Sequence, residues 1–519
     1  MIVDHDPKTV TRRHFMGAAT VLGAAPLLSG VAAAQSAQPK RGGRVRLGIA
    51  AGGPSDTLDP ATIIDAWQQN ISYQTRNTLV ELLPTLQPGP ELAESWEPSA
   101  DAKTWTFNLR KGVTFHNGKT FDADDVVFSI NYHRGPNTKS GGAGFVANVE
   151  DIKADGKSRV VFKLKFPDAD FPTVLTEYRL VIMPNGETNP GSGMGTGPYV
   201  LEAFEAGVRG FSKRNANYFR NDRGFFDEVE TFCINNATAR SNALLSGQVD
   251  VINRVDLKTV KLLAGNSALS VQNIPGLKQW NLCMLMQTPP FDNNDVRLAV
   301  KYAIDRKQIL DKILNGYGLV GNDNPLTPSH RFFDAGIPQR AMDLDKARFH
   351  IKKAGLENQP IEILTTEAGF DGSVDATVLF QSDASKAGID IKVTRLPIDG
   401  YFANVWKKKP FCTSYRSSRA TEDMTFTLAY SEKSSSNDTQ FKSPHFESLL
   451  QAARGELDEK KRRTMYSEMQ RYLWEQGGLV IPVWVNHIAA TSTKIRTPAK
   501  VSGANEMDNH RCAERWWFA

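Results

Sequence analysis

Two arginines and an aspartate lie close together in the stretch YRSSRATEDMTF, which runs from residue 415 to residue 426. Arg416 and Arg419 carry guanidinium groups, which bind a carboxylate or a phosphate through two parallel hydrogen bonds. Asp423 is a candidate for binding an ammonium group. Together the three side chains would suit a zwitterion or an acidic conjugate. The alternative is that either arginine forms a structural ion pair with Glu422 or Asp423.

Four aromatic residues are candidates for the walls of such a site: Trp67, Trp280, Tyr401 and Trp406. An aromatic side chain offers a large, rigid apolar surface with a polar edge, which suits contact with a small solute. The same residue types are also common in cores, so packing is the alternative for each. We take Trp280 as the first candidate, because it begins the apolar stretch WNLCMLMQTPPF, which is predicted to be a strand.

A glycine-containing loop, AAGGPSDTLDPA, follows a predicted first strand in which Val45, Leu47 and Ile49 alternate with polar residues. Gly52 and Gly53 have no side chain, so their backbone can approach a ligand closely. A plain turn needs glycine equally, and this alternative stays open. The sequence therefore adds Gly52 and Gly53 to the candidate ligand-binding residues.

Composition and motifs exclude several other functions. The 519 residues carry 62 Lys plus Arg against 57 Asp plus Glu, a net charge of +5 without a long basic block, which argues against a nucleic-acid partner. The sequence contains no GxSxG, no HExxH and no CxxC motif, so a hydrolase, a dedicated metalloenzyme and a structural zinc site are all disfavoured. We predict no enzyme activity and no cofactor. Four scattered cysteines allow three disulfide pairings, and these stay open: Cys233, Cys283, Cys412 and Cys512.

The N-terminus is typical of an export signal. The run TRRHFM at residues 11–16 is a twin-arginine pattern, and a Gly- and Ala-rich apolar segment follows it up to the small-residue triplet at residues 32–34. A membrane anchor is the alternative, but the segment is short and contains glycines and a proline. We predict cleavage near Ala34, a linker over residues 35–40, and a periplasmic protein.

The stretch from Glu94 to His133 predicts a strand, a hairpin turn and a helix. Trp105, Phe107 and Leu109 alternate with polar residues, which is the period of a strand with one buried face. The pair at 117–118 is Asn-Gly, the sequence that type I′ hairpin turns prefer. Asp122 is a predicted helix N-cap, with acidic residues in the following turn. A further helix is predicted over residues 71–83.

The same stretch closely resembles the signature of the family-five extracellular solute-binding proteins, which are oligopeptide, dipeptide and nickel receptors of ABC importers. Two further runs resemble the family: the GTGPY element at residues 195–199, and the apolar strand at 280–291 followed by the helix DNNDVRLAVKYAID at 292–305. In the family this second run marks the crossing into the other lobe. The resemblance covers nearly the whole chain after the export signal.

The resemblance implies an α/β periplasmic binding protein fold of type II, in the large peptide-receptor subclass, with two lobes, a hinge and an inserted subdomain. It implies a discontinuous first lobe (residues 41–72, 189–278 and 488–519), an inserted subdomain (73–188) and a second lobe (279–487). It also implies a monomer that captures a peptide, an opine or an amino-acid conjugate and delivers it to an inner-membrane ABC permease.

The sequence departs from the family at two positions. Arg419 lies about where dipeptide-type relatives have an acidic residue for the ligand ammonium, and Leu285 replaces a common asparagine. The resemblance also allows a nickel-chelate or haem carrier, with Met284, Met286 and His487 as possible ligands. Those methionines are equally expected in a strand core.

Overall fold

The structure is a computed structural model that describes residues 39–367, 370 and 372–519. The predicted export signal, its cleavage site and most of the linker lie outside the described residues. Within the described part of the chain, no helix combines the length and the apolar character that a membrane crossing requires.

The strands of the described residues are, in chain order, β1 Arg44–Ile49, β2 Val80–Leu82, β3 Pro88–Pro90, β4 Ala93–Pro98, β5 Thr104–Leu109, β6 Val149–Ala154, β7 Arg159–Leu164, β8 Tyr199–Glu205, β9 Arg209–Arg214, β10 Glu228–Cys233, β11 Val251–Ile252, β12 Leu269–Met284, β13 Gly318–Val320, β14 Pro360–Thr365, β15 Asp390–Arg395, β16 Phe411–Ser417, β17 Leu479–Ser492, β18 Ile495–Arg496 and β19 Trp517–Phe518.

The helices of the described residues are, in the same order, α1 Ala66–Thr75, α2 Ala123–Asn131, α3 Phe171–Val174, α4 Ala237–Leu245, α5 Val260–Ala264, α6 Asn294–Tyr302, α7 Arg306–Lys312, α8 Leu344–Lys353, α9 Ser373–Ser385, α10 Tyr401–Asn404, α11 Glu422–Tyr430, α12 Pro444–Gly455, α13 Glu459–Gln476, α14 Glu506–Asn509 and α15 Cys512–Arg515. Segment α14 is a left-handed turn rather than an α-helix.

One large mixed sheet runs in the order β15-β14-β16-β12-β17-β11-β1-β10-β9-β8, with β13 paired to β17. We call the side with β1 and β8–β11 the first half of the sheet, and the side with β13–β16 the second half. The long antiparallel strands β12 and β17 belong to both halves. Their register shifts between Ile274 and Lys278, where the chain passes from one half to the other. This is the α/β architecture that the sequence predicted.

A separate four-stranded sheet, β4-β5-β7-β6, carries its own apolar core, and we call it the small sheet. Trp105, Phe107 and Leu109 on β5 are buried while their neighbours are half-buried, as the alternation predicted.

The turn at 117–118 is also present, but of this pair only Gly118 has a positive φ. The type I′ prediction is therefore wrong. A hydrogen bond from Gly118 N to Phe115 O closes the turn. Of residues 117 and 118, only Gly118 adopts the left-handed conformation, whereas a type I′ turn needs it at both central positions.

Helix α2 begins where the sequence predicted. The Asp122 carboxylate accepts a hydrogen bond from Asp124 N at 3.0 Å, and the Asp125 carboxylate accepts one from Asp122 N at 2.8 Å. This reciprocal capping satisfies backbone donors that a helix start otherwise leaves unpaired.

The helix predicted over residues 71–83 is wrong in its second part. Helix α1 ends at Thr75, and residues 80–82 form strand β2. The Glu91 carboxylate accepts a hydrogen bond from Thr78 N at 3.1 Å, and the Leu79 carbonyl accepts one from Ala93 N at 2.8 Å. These hydrogen bonds to residues 91 and 93 hold the backbone at residues 78–79 in an extended conformation. They therefore outweigh the local sequence pattern that predicted a helix there.

A buried cluster of ion pairs joins residues 511–515, near the end of the chain, to β2 and to the segment between β3 and β4. Arg511 lies 2.7 Å from Glu91 and 2.9 Å from Glu514, and Arg515 lies 2.6 Å from Glu81. Each of these side chains is at most 4% exposed. We call these five residues the ion cluster.

Candidate functional site

A cavity of about 100 Å³ lies where three parts of the fold meet, and we call it cavity A. One wall comes from the segment after α3, which packs on the small sheet. A second comes from the end of β16, in the second half of the main sheet. A third comes from the turn at α14, and Leu277 at the crossing between the halves also lines it. The polar lining of cavity A includes Glu177, Tyr178, Ser418, Arg419, Asn505 and Asn509.

Arg419 is the cationic side chain of cavity A. Its backbone is fixed, because Arg419 N donates to Thr425 Oγ1 at 2.9 Å and its carbonyl lies 3.0 Å from His330 Nε2. Ser418 is anchored as well, by a hydrogen bond of 2.7 Å to the Pro325 carbonyl. The Arg419 side chain is exposed and has no hydrogen bond or ion pair within the described residues. A guanidinium held in this way can bind a carboxylate.

Glu177 is the acidic side chain of the same cavity. Its Oε1 accepts a hydrogen bond from Arg179 Nη1 at 2.8 Å, and the Arg179 guanidinium lies over the Tyr178 ring at 4.4 Å. Burial raises the pKa of Glu177, although Arg179 and then Arg419 favour its ionised form. Cavity A therefore carries a positive and a negative group on opposite parts of the fold, which is an arrangement that suits a zwitterion.

A second cavity of about 660 Å³, which we call cavity B, adjoins cavity A. The two share Phe145, Val174, Arg419 and Met424 in their linings. Cavity B lies between the small sheet and helices α11 and α12, and it adds the apolar surface of Leu428. A solute with its charged groups in cavity A thus has room for a larger body in cavity B.

Asp423 lines cavity B, but it is already paired. Arg454 Nε lies 3.0 Å from its Oδ1 and 3.2 Å from its Oδ2. Burial raises the pKa of Asp423 to about 6, and the nearby Arg454 opposes that rise. The prediction that Asp423 is free for a ligand ammonium therefore needs correction.

Arg416 is a structural residue rather than a cavity residue. Its guanidinium lies 2.8 Å from Asp438, and it also donates to the Ser436 carbonyl. Trp406 Nε1 donates to the same carboxylate at 2.7 Å. The predicted alternative of an ion pair is thus correct in kind, but the partner is Asp438 instead of Glu422 or Asp423. Neither Arg416 nor Trp406 lines cavity A or B.

The remaining aromatic candidates lie in cores. Trp280 and Trp67 have no exposed surface, and Trp280 packs edge-to-face against Phe370 at 5.5 Å. Tyr401 is buried as well, with its hydroxyl donating to the Leu364 carbonyl at 2.8 Å. Each ring packs with the apolar residues of its own sheet half. The prediction that they form the walls of the site is corrected accordingly.

Gly52 and Gly53 form a tight turn away from both cavities. The Asn235 side chain accepts a hydrogen bond from Gly52 N at 3.3 Å and donates one to the Gly52 carbonyl at 2.8 Å, and Gly53 N donates to Asp56 Oδ2 at 2.8 Å. A Cβ on Gly52 would come within 2.7 Å of Cys233 Sγ. The turn and its close packing thus account for these glycines.

The residues considered for nickel or haem do not meet. Met284 is fully buried in the core of the second half, whereas His487 pairs in register with Ile274, ten residues away along β12. At about 3.3 Å per residue, this separates them by roughly 30 Å. No group of three or more metal-ligating side chains occurs among the described residues. The cysteines at 233, 283, 412 and 512 carry free thiols.

Three residues of cavity A were missed by the sequence analysis: Glu177, Asn505 and Asn509. Glu177 lies just after α3, where a single glutamate in the sequence gives no functional signal. Asn505 and Asn509 lie 86 and 90 residues beyond Arg419 in the chain. Residues this far apart are brought together only by the tertiary fold.

Comparison with known proteins agrees with this architecture. Residues 87–438 match the family of bacterial extracellular solute-binding proteins, family 5 Middle. The dipeptide-binding protein of Escherichia coli K12 is 26% identical over 449 residues, covering 78% of this chain and 82% of that protein.

Two solved structures share the fold. The ABC transporter-associated periplasmic binding protein DppA of Helicobacter pylori, in complex with the peptide STSA, has a TM-score of 0.72 and 24% identity, over 92% of this chain and 98% of that one. The protein AgaA of A. tumefaciens R10, in complex with agropinic acid, has a TM-score of 0.72 and 22% identity, over 92% and 99%.

The two-part sheet crossed by two strands is the fold of periplasmic solute-binding proteins, as its likeness to these two structures shows. The family match covers well over half of the chain. The chain belongs to family 5 of the bacterial extracellular solute-binding proteins, the class that serves ABC importers.

Proposed function

We propose that this chain is the periplasmic solute-binding component of an ABC importer and that it captures a small zwitterionic solute, a peptide or an opine-like amino-acid derivative, in cavity A. The observation that carries the proposal is the exposed Arg419 guanidinium, which lines the cavity and has no hydrogen bond or ion pair within the described residues. Arg419 binds a carboxylate of the solute. Glu177 attracts its ammonium group from the opposite wall through Oε2, which has no hydrogen bond among the described residues, whereas Arg454 contacts both carboxylate oxygens of Asp423.

Relatives support both ligand classes. The relative from Escherichia coli is a dipeptide-binding protein, and the AgaA structure holds agropinic acid. The metal and haem alternatives receive no support from the side chains that line cavities A and B. The solute is held and released unaltered, so we expect prolonged incubation with the protein to leave it chemically intact by mass spectrometry.

We propose that closure of two lobes buries the solute. The first lobe comprises residues 41–72, 189–278 and 488–519, the second comprises 279–487, and the subdomain at 73–188 is inserted in the first. The crossing of β12 and β17 between the sheet halves supports a hinge there. Small-angle scattering of the monomer should show a smaller radius of gyration with solute than without it. Superimposable curves would contradict closure.

We propose that the chain is exported through the twin-arginine route and cleaved near Ala34. The support is the run at residues 11–16 and the triplet at 32–34. Replacing Arg12 and Arg13 by lysine should leave the protein uncleaved in the cytoplasm. Unchanged appearance of the cleaved form in a periplasmic fraction would rule out this route.

The ligand experiment is calorimetric titration with L-Ala-L-Ala and with an N-carboxyalkyl amino acid of the opine class. Native mass spectrometry of protein from its own host identifies any co-purifying solute and adds it to the panel. Arg419→Gln should weaken binding about 10- to 100-fold, because a charge-assisted hydrogen bond to a carboxylate contributes roughly 1.5–3 kcal/mol.

The matched control is Arg348→Gln on α8, an exposed arginine paired with Asp345 at 2.6 Å. It should bind like the wild type. Amidation of the solute's carboxylate should cost the wild type as much as the Arg419 substitution does and should cost the Arg419→Gln variant little. Equal affinity of the wild type and Arg419→Gln would remove Arg419 from the site, and binding of no member of the panel would overturn the proposed function.

A further inference from the structure

The segment at residues 166–170 touches the start of α13 and the end of α12, and we call this junction the outer contact. The segment joins β7 to α3, so it belongs to the same wall as Glu177. The Asp170 carboxylate accepts two hydrogen bonds from the Arg462 guanidinium, at 2.9 Å and 2.6 Å. Both side chains are largely buried, with 11% of Asp170 and 3% of Arg462 exposed.

Backbone and packing contacts reinforce this ion pair. Ala169 N donates to the Arg454 carbonyl at 2.7 Å, and a Cβ on Gly455 would come within 2.8 Å of Pro167 Cβ. The Arg454 guanidinium also lies over the Phe166 ring, 5.7 Å from its centre. The segment therefore packs directly on the end of α12.

Each half of the outer contact is positioned by its own part of the fold. Asp170 N donates to Asp168 Oδ1 at 2.9 Å, which fixes the turn that carries the Asp170 carboxylate. Arg462 Nε donates to the Ala453 carbonyl at 3.1 Å, and the Arg462 guanidinium lies over the Phe332 ring at 5.1 Å. The two ionic groups are thus held independently of each other, which lowers the entropy cost of bringing them together.

The outer contact lies outside both cavities but between the same parts of the fold. Among the described residues, neither Asp170 nor Arg462 lines cavity A or cavity B. Cavity B nevertheless has Asp168 on one side and Arg454 on the other. Opening about the hinge at β12 and β17 separates these two sides, and the outer contact must then break. The outer contact can therefore favour the closed arrangement without touching the solute.

We propose that the outer contact is a latch, in which Asp170 and Arg462 are positioning residues that hold the closed lobes together and so set the rate of solute release. A neutral residue at 170 leaves the Arg462 guanidinium buried and unpaired in the closed arrangement, whereas opening exposes it to water. The substitution therefore shifts the equilibrium towards the open arrangement. The latch acts equally on any bound solute, because it does not contact the solute. This inference rests on the proposed function, and in particular on closure of the two lobes.

The test measures the release of a radiolabelled solute in a rapid-mixing chase with excess unlabelled solute, using the member of the calorimetric panel that binds most tightly. Asp170→Asn should release it about 10-fold faster than the wild type does, and should speed the release of its amidated form by the same factor. Arg419→Gln should instead speed the release of the native solute much more than that of the amidated form. The double variant Asp170→Asn, Arg462→Gln should release the solute no faster than Arg462→Gln, because Asp170 acts through Arg462.

The matched control is Asp250→Asn. Asp250 accepts hydrogen bonds from Arg46 Nε at 3.1 Å and Nη2 at 3.0 Å, but both residues belong to the proposed first lobe. This variant should lower the thermal midpoint of the ligand-free protein and leave the release rate unchanged. An unchanged release rate in Asp170→Asn, or an equal increase in Asp250→Asn, would overturn the latch while Arg419-dependent binding still stands. If the wild type binds no member of the panel, the proposed function fails and the latch fails with it.

Discussion

The ion cluster and cavity A both contain arginines beside glutamates, yet the two regions use them differently. In the ion cluster, Arg511 and Arg515 have carboxylate partners at 2.6–2.9 Å, and these side chains are almost completely buried. In cavity A, Arg419 is exposed and has no ion pair within the described residues. The comparison separates charges that stabilise the fold from a charge that is available to a solute.

Arg511→Met should have the largest effect. It leaves the buried Glu91 carboxylate without its cation, and breaking a buried pair costs about 3–5 kcal/mol. Denaturant unfolding of the ligand-free protein measures this loss. In the double variant Arg511→Met, Glu91→Gln most of it should be recovered. A loss below about 1 kcal/mol would mean that the ion cluster does not differ energetically from surface pairs.

Arg416→Gln should have an intermediate effect. Asp438 keeps its hydrogen bond from Trp406 but loses the guanidinium, which should cost about 1–3 kcal/mol of unfolding free energy. Solute affinity should stay within 2-fold of wild type, because Arg416 does not line cavity A. The result is informative since Arg416 and Arg419 are three residues apart. Weaker solute binding without a loss of unfolding free energy would show that Arg416 contacts the solute and is not a structural arginine.

Glu422 sharpens the comparison, because it is a buried carboxylate without a cation at hydrogen-bond distance among the described residues. Its Oε1 accepts a hydrogen bond from Phe332 N at 2.7 Å, and burial raises its pKa to about 7. The folded state therefore holds a proton that the unfolded state releases at a lower pH. The contribution of protonated Glu422 to the free energy of unfolding is fully present below about pH 4 and is lost as the pH rises through 7.

Glu422→Gln keeps the acceptor and removes this titration. Relative to the variant, the wild type should lose on the order of 1–3 kcal/mol of unfolding free energy between pH 5 and pH 8. Chemical denaturation at the two pH values measures the difference. Parallel behaviour of the two proteins would show that Glu422 is already ionised at pH 5.

Arg419→Gln should have the smallest effect on the ligand-free protein, within about 0.5 kcal/mol, as for surface substitutions without a special contact. The same variant is expected to lose most of its solute affinity. A large destabilisation would indicate that Arg419 belongs with the structural arginines.

Local patterns predicted the fold where the controlling contacts are themselves local. The alternation around Phe107 and the capping at Asp122 depend on neighbours within a few residues. The helix predicted through Leu79 failed because the partners of that backbone, such as Ala93, come from a different segment.

The site was predicted less well than the fold. Arg419 was identified because two arginines in a short run are unusual, but the same signal also selected Arg416, whose partner lies 22 residues away. Trp280 was selected for its type, and its burial depends on the packing of the whole second half. The amides at Asn505 and Asn509 gave no signal, because only the tertiary fold brings them to cavity A.

The ion cluster also has a consequence for biosynthesis. Arg511 is 420 residues from Glu91, and Arg515 is 434 residues from Glu81. While the ribosome is still translating the intervening segment, Glu91 has no guanidinium partner among the described residues, and Glu81 has only Arg220 and Arg223. The region around β2 and β3 can therefore reach its final packing only after residue 515 has been added and has left the exit tunnel, which makes the maturation of this protein a post-translational event.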